Sequence, residues 1–281
     1  MVGYNRKISR KRLNTILLYV LATAGLMVSV FPYFYLFIQS FSPWSEVDRS
    51  LIPSKLTLQS YKFLFQGAGA NKPWLRAFMN SVLVTGACLG ISLISGLLVG
   101  YALSRLEFKG KKIVSEFLLF QMFYPGIILL VPLFLLIVRV GFFNTYLGMI
   151  LPKAVNLWAI FLYSNFFLSV PKELIEAARL DGASEFKIIF RIMLPLSLPI
   201  TTVIGLLLFM RRWGELLWDM IVVQDYKMMT LNVLLAMMSR GEYQDFPGAM
   251  YAATVILTAP LVVLFITFGK RLTTGIHLTL K

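Results

Sequence analysis

The chemistry-bearing residues of this sequence sit where an apolar segment should carry none: Phe209-Met-Arg-Arg-Trp-Gly-Glu-Leu-Leu-Trp-Asp219. Counting from Pro199 at ~1.5 Å per residue places Arg211 and Arg212 ~18 Å along a helix, near the middle of a bilayer. Ionisable groups at that depth each oppose insertion by ~2.5–3.5 kcal/mol and normally face a cavity or a partner. In one arrangement Arg211 pairs with Glu215 four residues on, and Arg212 pairs with Glu215 or a neighbouring subunit. In another, both guanidinium groups line a path and receive carboxylates, sulfates or phosphates through forked hydrogen bonds. Trp213 and Trp218 either offer flat faces to a passing solute or pack on lipid and neighbouring helices. Lys153 and Asn156, about two turns into another apolar segment, extend a positive route, unless Lys153 snorkels to the interface.

A second constellation lies between two long apolar runs, from Pro171 to Pro195. It carries Lys172, Glu173, Glu176, Arg179, Asp181, Glu185, Lys187 and Arg191, too many charges for a span. The spacing predicts two short helices. Pro171 suits a first helical turn, with Glu173 and Glu176 near that positive dipole end. Gly182 supplies the left-handed residue that ends the first helix, and Ser184 caps the second. Leu174, Ala177 and Ala178 form a narrow face that another surface can approach, and Phe186, Ile189, Phe190 and Met193 form a stripe at helical spacing. Arg179 and Asp181 enter either a local Arg–Asp or Arg–Glu pair or contacts with a partner protein.

The rest of the chain has to place these two groups. With 281 residues, 58% of them hydrophobic, and a mean hydropathy of +0.76, it reads as an all-α polytopic membrane protein. A net charge of +14 raises nucleic acid as a partner, but the basic residues gather at helix ends and read as topology signals. The single cysteine, Cys88, falls in an apolar run, and His277 is the only histidine, so no disulfide framework, metal site or catalytic residue is expected. No Gly-x4-Gly-Lys-Ser/Thr loop is present to cradle a nucleotide.

Six spans are expected, at 13–38, 80–103, 113–138, 146–167, 199–223 and 248–268, each near the ~20 residues that cross ~30 Å of hydrocarbon. The first follows a basic stretch and runs too far to be a cleaved leader. Residues 39–79 form an outer loop and 169–195 an inner one. Lys and Arg place the 1–12 and 269–281 tails on the cytoplasmic side with that inner loop. Pro32, Pro125, Pro132, Pro152 and Pro260 interrupt the spans. Gly86, Gly90, Gly96 and Gly100 permit close packing of the second. Glu116 pairs with Lys112 or is solvated, and Asp225, Lys227, Arg240, Glu242 and Asp245 form a solvated outer surface or touch a partner.

Glu176-Ala177-Ala178, then Asp181-Gly182-Ala183 with Ile192, Pro195 and Pro199, resembles the cytoplasmic coupling loop of ABC-importer permease subunits, in the manner of the maltose-type sugar permease branch. Asn80-Ser81, Tyr101-Ala-Leu-Ser-Arg105 with Phe108 and Gly110, Gln121-Met122 with Pro125 and Pro132, and Asn144-Thr145-Tyr146 with Leu151-Pro152 are similar to that branch as well. The resemblance implies a type I importer permease fold of six transmembrane helices. It implies a second homologous permease, two ATPase subunits that hold ATP and Mg, an extracytoplasmic substrate-binding protein, and no nucleic acid. This chain would be a permease without enzymatic activity of its own in a bacterial inner membrane. Glu176, Ala177, Ala178, Asp181, Gly182, Ala183 and Phe186 would couple it to the ATPases. The branch has small residues before its tryptophan, then Asn, an acidic group and Trp-Pro. Here Trp213, Glu215 and Trp218 are kept, while Arg211, Arg212, Gly214 and Asp219 depart. That departure favours an acidic oligosaccharide such as a uronate oligomer, with neutral oligosaccharides and phosphorylated solutes as alternatives. An ion-coupled secondary transporter would need a buried carboxylate site and internal repeats, and no clear repeat is present.

Overall fold

The computed structural model describes residues 2–66, 72–239 and 246–279; Gly67, Gly69, Arg240, Glu242, Asp245 and Lys281 lie outside them. Every regular element among the described residues is helical. Contacts divide the chain into two compact units, 1–71 with 238–256, and 72–237 with 257–281.

In the first unit, α1 (Val2–Ser40) begins well before the expected residue 13. The expected outer loop contains α2 (Gln59–Gln66), and a connecting segment held by polar contacts. Asp48, at φ +60, accepts hydrogen bonds on Oδ1 from the hydroxyls of Tyr35 at 2.7 Å and Tyr251 at 2.6 Å. Glu46 accepts the backbone N–H and the hydroxyl of Ser54, and these donors hold its carboxyl below the usual carboxylate range. Trp44, Phe63 and Phe246 stack and tilt against one another with centroids 4.7–5.3 Å apart.

The second unit is built on α3 (Trp74–Arg105), which is unbroken for 32 residues. The expected span 113–138 is instead two helices, α4 (Lys111–Met122) and α5 (Leu130–Arg139), joined through a 3₁₀ turn at Gly126–Leu129 and bent by 95°. Pro125 is the cause: it has no N–H to give and drives Tyr124 out of the helical region. The span 146–167 is α6 (Tyr146–Ala154) and α7 (Leu157–Ser169), interrupted where Val155 and Asn156 are extended. The Asn156 side chain accepts the Ala159 N–H at 3.2 Å, so α7 restarts on its own N-cap.

The charged hinge follows as α8 (Lys172–Leu180) and α9 (Glu185–Ile188). Gly182 sits at φ +76, and Ser184 Oγ accepts the Lys187 N–H. Pro171 lies one residue earlier than expected, at the N-cap. A π-helical turn at Ile189–Met193 leads into the single turn of α10 (Leu194–Leu196). The expected stripe is therefore split: Ile189 and Met193 are buried in the core while Phe186 and Phe190 are exposed. The expected span 199–223 ends early. Its helix, α11 (Leu198–Trp213), stops before Gly214, and α12 (Leu217–Val222) starts after a break. A non-helical stretch that turns at 226–228 leads to α13 (Leu231–Met238). It is clasped at both ends: Asn144 Oδ1 accepts the N–H groups of Gln224 and Asp225, and Asn80 Nδ2 donates to the carbonyls of Lys227 and Met229. The last helix, α14 (Pro247–Thr279), runs past the expected end at 268.

Four stretches, 14–40, 74–105, 146–169 and 247–269, are long and apolar enough to cross a membrane, and the bent pairs 111–139 and 185–213 raise the number to six. The core of the second unit lies where α3 meets α7, with Leu97, Tyr101, Tyr163, Phe167, Ile188 and Met193 buried together. Gly96 and Gly100 face α7 at close approach, but Gly86 and Gly90 have nothing within 4 Å of where a Cβ would be. Only two of the four glycines therefore serve helix packing within the described residues.

Candidate translocation cavity and coupling loop

Breaks in three helices converge on one cavity of about 250 Å³ in the second unit. Non-helical backbone at membrane depth is tolerated only where protein or a water-filled cavity satisfies it, so the breaks and the cavity belong together. The wall comprises Cys88 and Ser92 of α3, Gln121 and Tyr124 beside the α4 bend, Lys153 and Asn156 at the α6–α7 interruption, and Arg211, Arg212 and Glu215 at the end of α11. Lys153, Asn156, Arg211, Arg212 and Glu215 were all expected along a path, and the fold brings them together.

Their pairing differs from the simple i, i+4 arrangement. Because α11 ends at Trp213, Arg211 and Glu215 no longer share a helical face. Glu215 reaches across to Lys153 at 3.4 Å, and its other oxygen accepts the Trp218 N–H. Arg212 makes a forked contact with Asp219, 3.0 Å from Nη1 to Oδ2 and 2.8 Å from Nη2 to Oδ1. That pair spans the break between α11 and α12, with 8% and 1% of the side chains exposed. Asn232 Nδ2 donates to the carbonyls of Gly214 and Glu215 and so satisfies the same break from α13. Arg211 is exposed and has no ion-pair or hydrogen-bond partner among the described residues. Three cations (Lys153, Arg211, Arg212) thus meet two carboxylates (Glu215, Asp219), a net of +1 located at Arg211.

The tryptophans do not face the cavity. Trp218 is fully buried, and its indole N–H donates to the Gly148 carbonyl at 3.0 Å. Trp213 donates to the Leu257 carbonyl and stacks on Phe209 at 5.3 Å. A buried indole needs an acceptor for its N–H, and these two have found theirs inside the bundle. The aromatic groups on the cavity wall are Trp158 and Tyr124, which sequence reasoning passed over. The one local signal was that Trp158 lies two residues after Asn156, in the first turn of the restarted helix.

Away from the cavity, α8 and α9 present an exposed surface. Leu180 is 89% and Phe186 68% exposed, and Glu176, Ala177, Asp181 and Gly182 are exposed beside them. Ala178 and Ala183 are partly buried and pack on the α3–α7 core around Ile175. Arg179 pairs locally, with Nε donating to Glu185 Oε1 at 2.8 Å. Lys112 and Glu116 form the local pair expected of them, at 3.9 Å.

Helices apolar enough to cross a membrane, breaks gathered around a polar cavity in the second unit and an exposed charged hinge are features of a membrane permease. Residues 92–277 match the family of binding-protein-dependent transport system inner membrane components. The chain is 35% identical over 254 residues to the arabinooligosaccharides transport system permease protein of Halalkalibacterium halodurans, covering 89% of this chain and 90% of that one. It is 30% identical over 272 residues to the trehalose/maltose transport system permease protein of Thermococcus litoralis, covering 94% and 95%. A crystal structure of a bacterial ABC transporter that imports alginate contains a chain of the same fold, with a TM-score of 0.83 at 23% identity over 92% of this chain and 96% of that one. This chain belongs to that inner membrane component family, as a permease subunit of an ABC-type importer in its carbohydrate branch. Such subunits are not enzymes; ATP is hydrolysed by their partners.

Proposed function

We propose that this permease forms half of the translocation path of an ATP-driven, binding-protein-dependent importer, and that its cargo is an acidic oligosaccharide. The observation that carries the cargo class is Arg211, exposed at the wall of a cavity whose other charges are paired. A guanidinium there offers a planar fork to a uronate carboxylate, and the +1 balance favours an anion over a neutral sugar. The same cavity supplies Trp158 and Tyr124 for apolar ring faces, and Gln121, Ser92 and Asn156 for hydroxyls. The relatives act on arabinooligosaccharides and on trehalose or maltose, so saccharide cargo is the family's habit, and the charge is this chain's own variation.

Uptake into vesicles holding the full transporter separates the cargo classes. Arg211→Ala should lower uptake of a uronate oligomer by about tenfold, the scale of one charge-assisted hydrogen bond, and leave a neutral oligosaccharide unchanged. An equal effect on both would remove the acidic cargo.

In the same reading, the 172–192 hinge docks on an ATPase subunit that binds ATP and Mg. A second homologous permease completes the path, a second ATPase serves it, and a binding protein delivers cargo at the outer face. Both termini and the hinge then lie in the cytoplasm. Closure of the ATPases pushes on the exposed α8–α9 surface, and the cavity alternates between outward and inward openings. Glu176→Lys, or Gly182→Val where φ is +76, should abolish ATP-dependent uptake while the chain still inserts. The branched side chain is strained in that backbone conformation by about 1–2 kcal/mol. Normal uptake by both variants would refute docking through this hinge.

A further inference from the structure

The covalent route from the hinge to the cavity is poorly suited to carry a push. It runs through the π-helical turn Ile189–Met193 and then through an 80° bend at Ser197. π-turns and sharp bends are where helices yield. The helix α3 offers a different route. It is unbroken over 32 residues, about 48 Å at 1.5 Å per residue, and its last turns are fastened to the hinge. The Tyr101 hydroxyl donates to Glu185 Oε2 at 2.6 Å, while Arg179 donates to Oε1 of the same carboxylate at 2.8 Å. One carboxylate therefore ties α8, α9 and α3 together across the Gly182 turn. Arg105 Nη2 donates to the carbonyls of Phe167 and Val170, which close α7 just ahead of the hinge. Its Nε is buried with no partner among the described residues, so the guanidinium is committed to those carbonyls. Further along the same helix, Ser92 Oγ donates to the Ala154 carbonyl at 2.6 Å, and Ser92 and Cys88 form part of the cavity wall.

We infer that Tyr101, Arg105 and Glu185 are positioning residues that transmit hinge motion to the cavity through α3, with the 189–197 segment acting as the compliant joint. This rests on the reading of the hinge as the ATPase-docking element. None of the three lines the cavity; each acts by making α3 and the hinge move as one body.

Cys88 is the only cysteine of the chain and is buried at the cavity wall, so its alkylation reports the state of that wall. The assembled transporter in lipid vesicles is treated with N-ethylmaleimide, without nucleotide or trapped with ATP, Mg and vanadate, and modification of the Cys88 peptide is followed by mass spectrometry. In the native complex the rate should differ about tenfold between the two states, as expected when a minor conformer becomes the major one. Tyr101→Phe keeps the ring in the core and removes only the hydroxyl; Arg105→Lys removes the fork. In both, ATP hydrolysis should persist while the difference falls below about twofold. Ser197→Gly, which loosens the covalent route alone, should retain the native difference. A Tyr101→Phe complex with the native difference would overturn the inference, as would its failure to assemble, since a hydroxyl that only transmits motion is not needed for docking. A native complex whose Cys88 rate ignores nucleotide would instead overturn the docking reading on which the inference stands.

Discussion

Replacing Asp219 with alanine is expected to destabilise the permease by about 3–5 kcal/mol, the loss typical when one member of a buried ion pair is removed. The carboxylate accepts both Nη groups of Arg212, and the Thr230 hydroxyl lies 3.5 Å from Oδ2. Without it, a guanidinium that is 8% exposed keeps its charge with its partner gone and cannot be deprotonated. The pair also bridges the break at 214–216, so its loss frees the start of α12 and with it the backbone that carries Glu215. The midpoint of thermal unfolding in detergent reads the effect. The double variant Arg212→Met with Asp219→Leu should recover most of the loss, because apolar groups of similar volume replace buried pairs with little penalty. A single variant that unfolds within a degree or two of the native protein would show that this pair is solvated and not structural.

The second large effect is expected at Gly100. A Cβ there would stand 2.7 Å from the Tyr163 Cβ, 3.0 Å from the Ser164 nitrogen and 3.2 Å from the Ile160 carbonyl oxygen. Two of these three atoms are backbone of α7, which has no rotamer to yield. Alanine should therefore force α3 and α7 apart. Overpacking of this kind destabilises by about 1–3 kcal/mol, and Gly100→Ala should fall at the upper end because Tyr101, Tyr163 and Phe167 all pack at this seam. Gly90, on the same helix, is the internal control. Nothing lies within 4 Å of the point its Cβ would occupy, and Gly90→Ala should be neutral or gain up to about 1 kcal/mol of helix propensity. Equal unfolding midpoints for the two alanine variants would mean that the α3–α7 contact is not the close one described.

Hydropathy, proline and glycine placement, and charge density were enough to announce a helical membrane bundle with a polar hinge between 171 and 195. These signals are local. A proline removes its own N–H, a glycine at φ +76 ends its own helix, and Ser184 caps the residues that follow it. The family motif added the class of protein by the same short-range means. Some breaks were also local in origin, as at Pro125, but their consequence was not: a 95° bend turns one expected span into two walls of a cavity.

The pairing of the charges was decided by the tertiary structure alone. The i, i+4 rule applied to Arg211 and Glu215 holds only while the helix continues, and α11 stops at Trp213. Once it stops, Glu215 belongs to Lys153, 62 positions earlier in the chain, Arg212 belongs to Asp219, and Arg211 alone is left to the cavity. Trp213 and Trp218 carried no sequence mark of burial either, because an indole's fate depends on which carbonyl comes within reach. The tie between Tyr101 and Glu185 joins residues 84 apart; no window of the sequence contains both. What composition and short spacing determine is which segments are helical; several helix ends, as at Trp213, fall elsewhere than they place them. Which side chains then meet depends on the angles between those ends, set by the packing of distant elements.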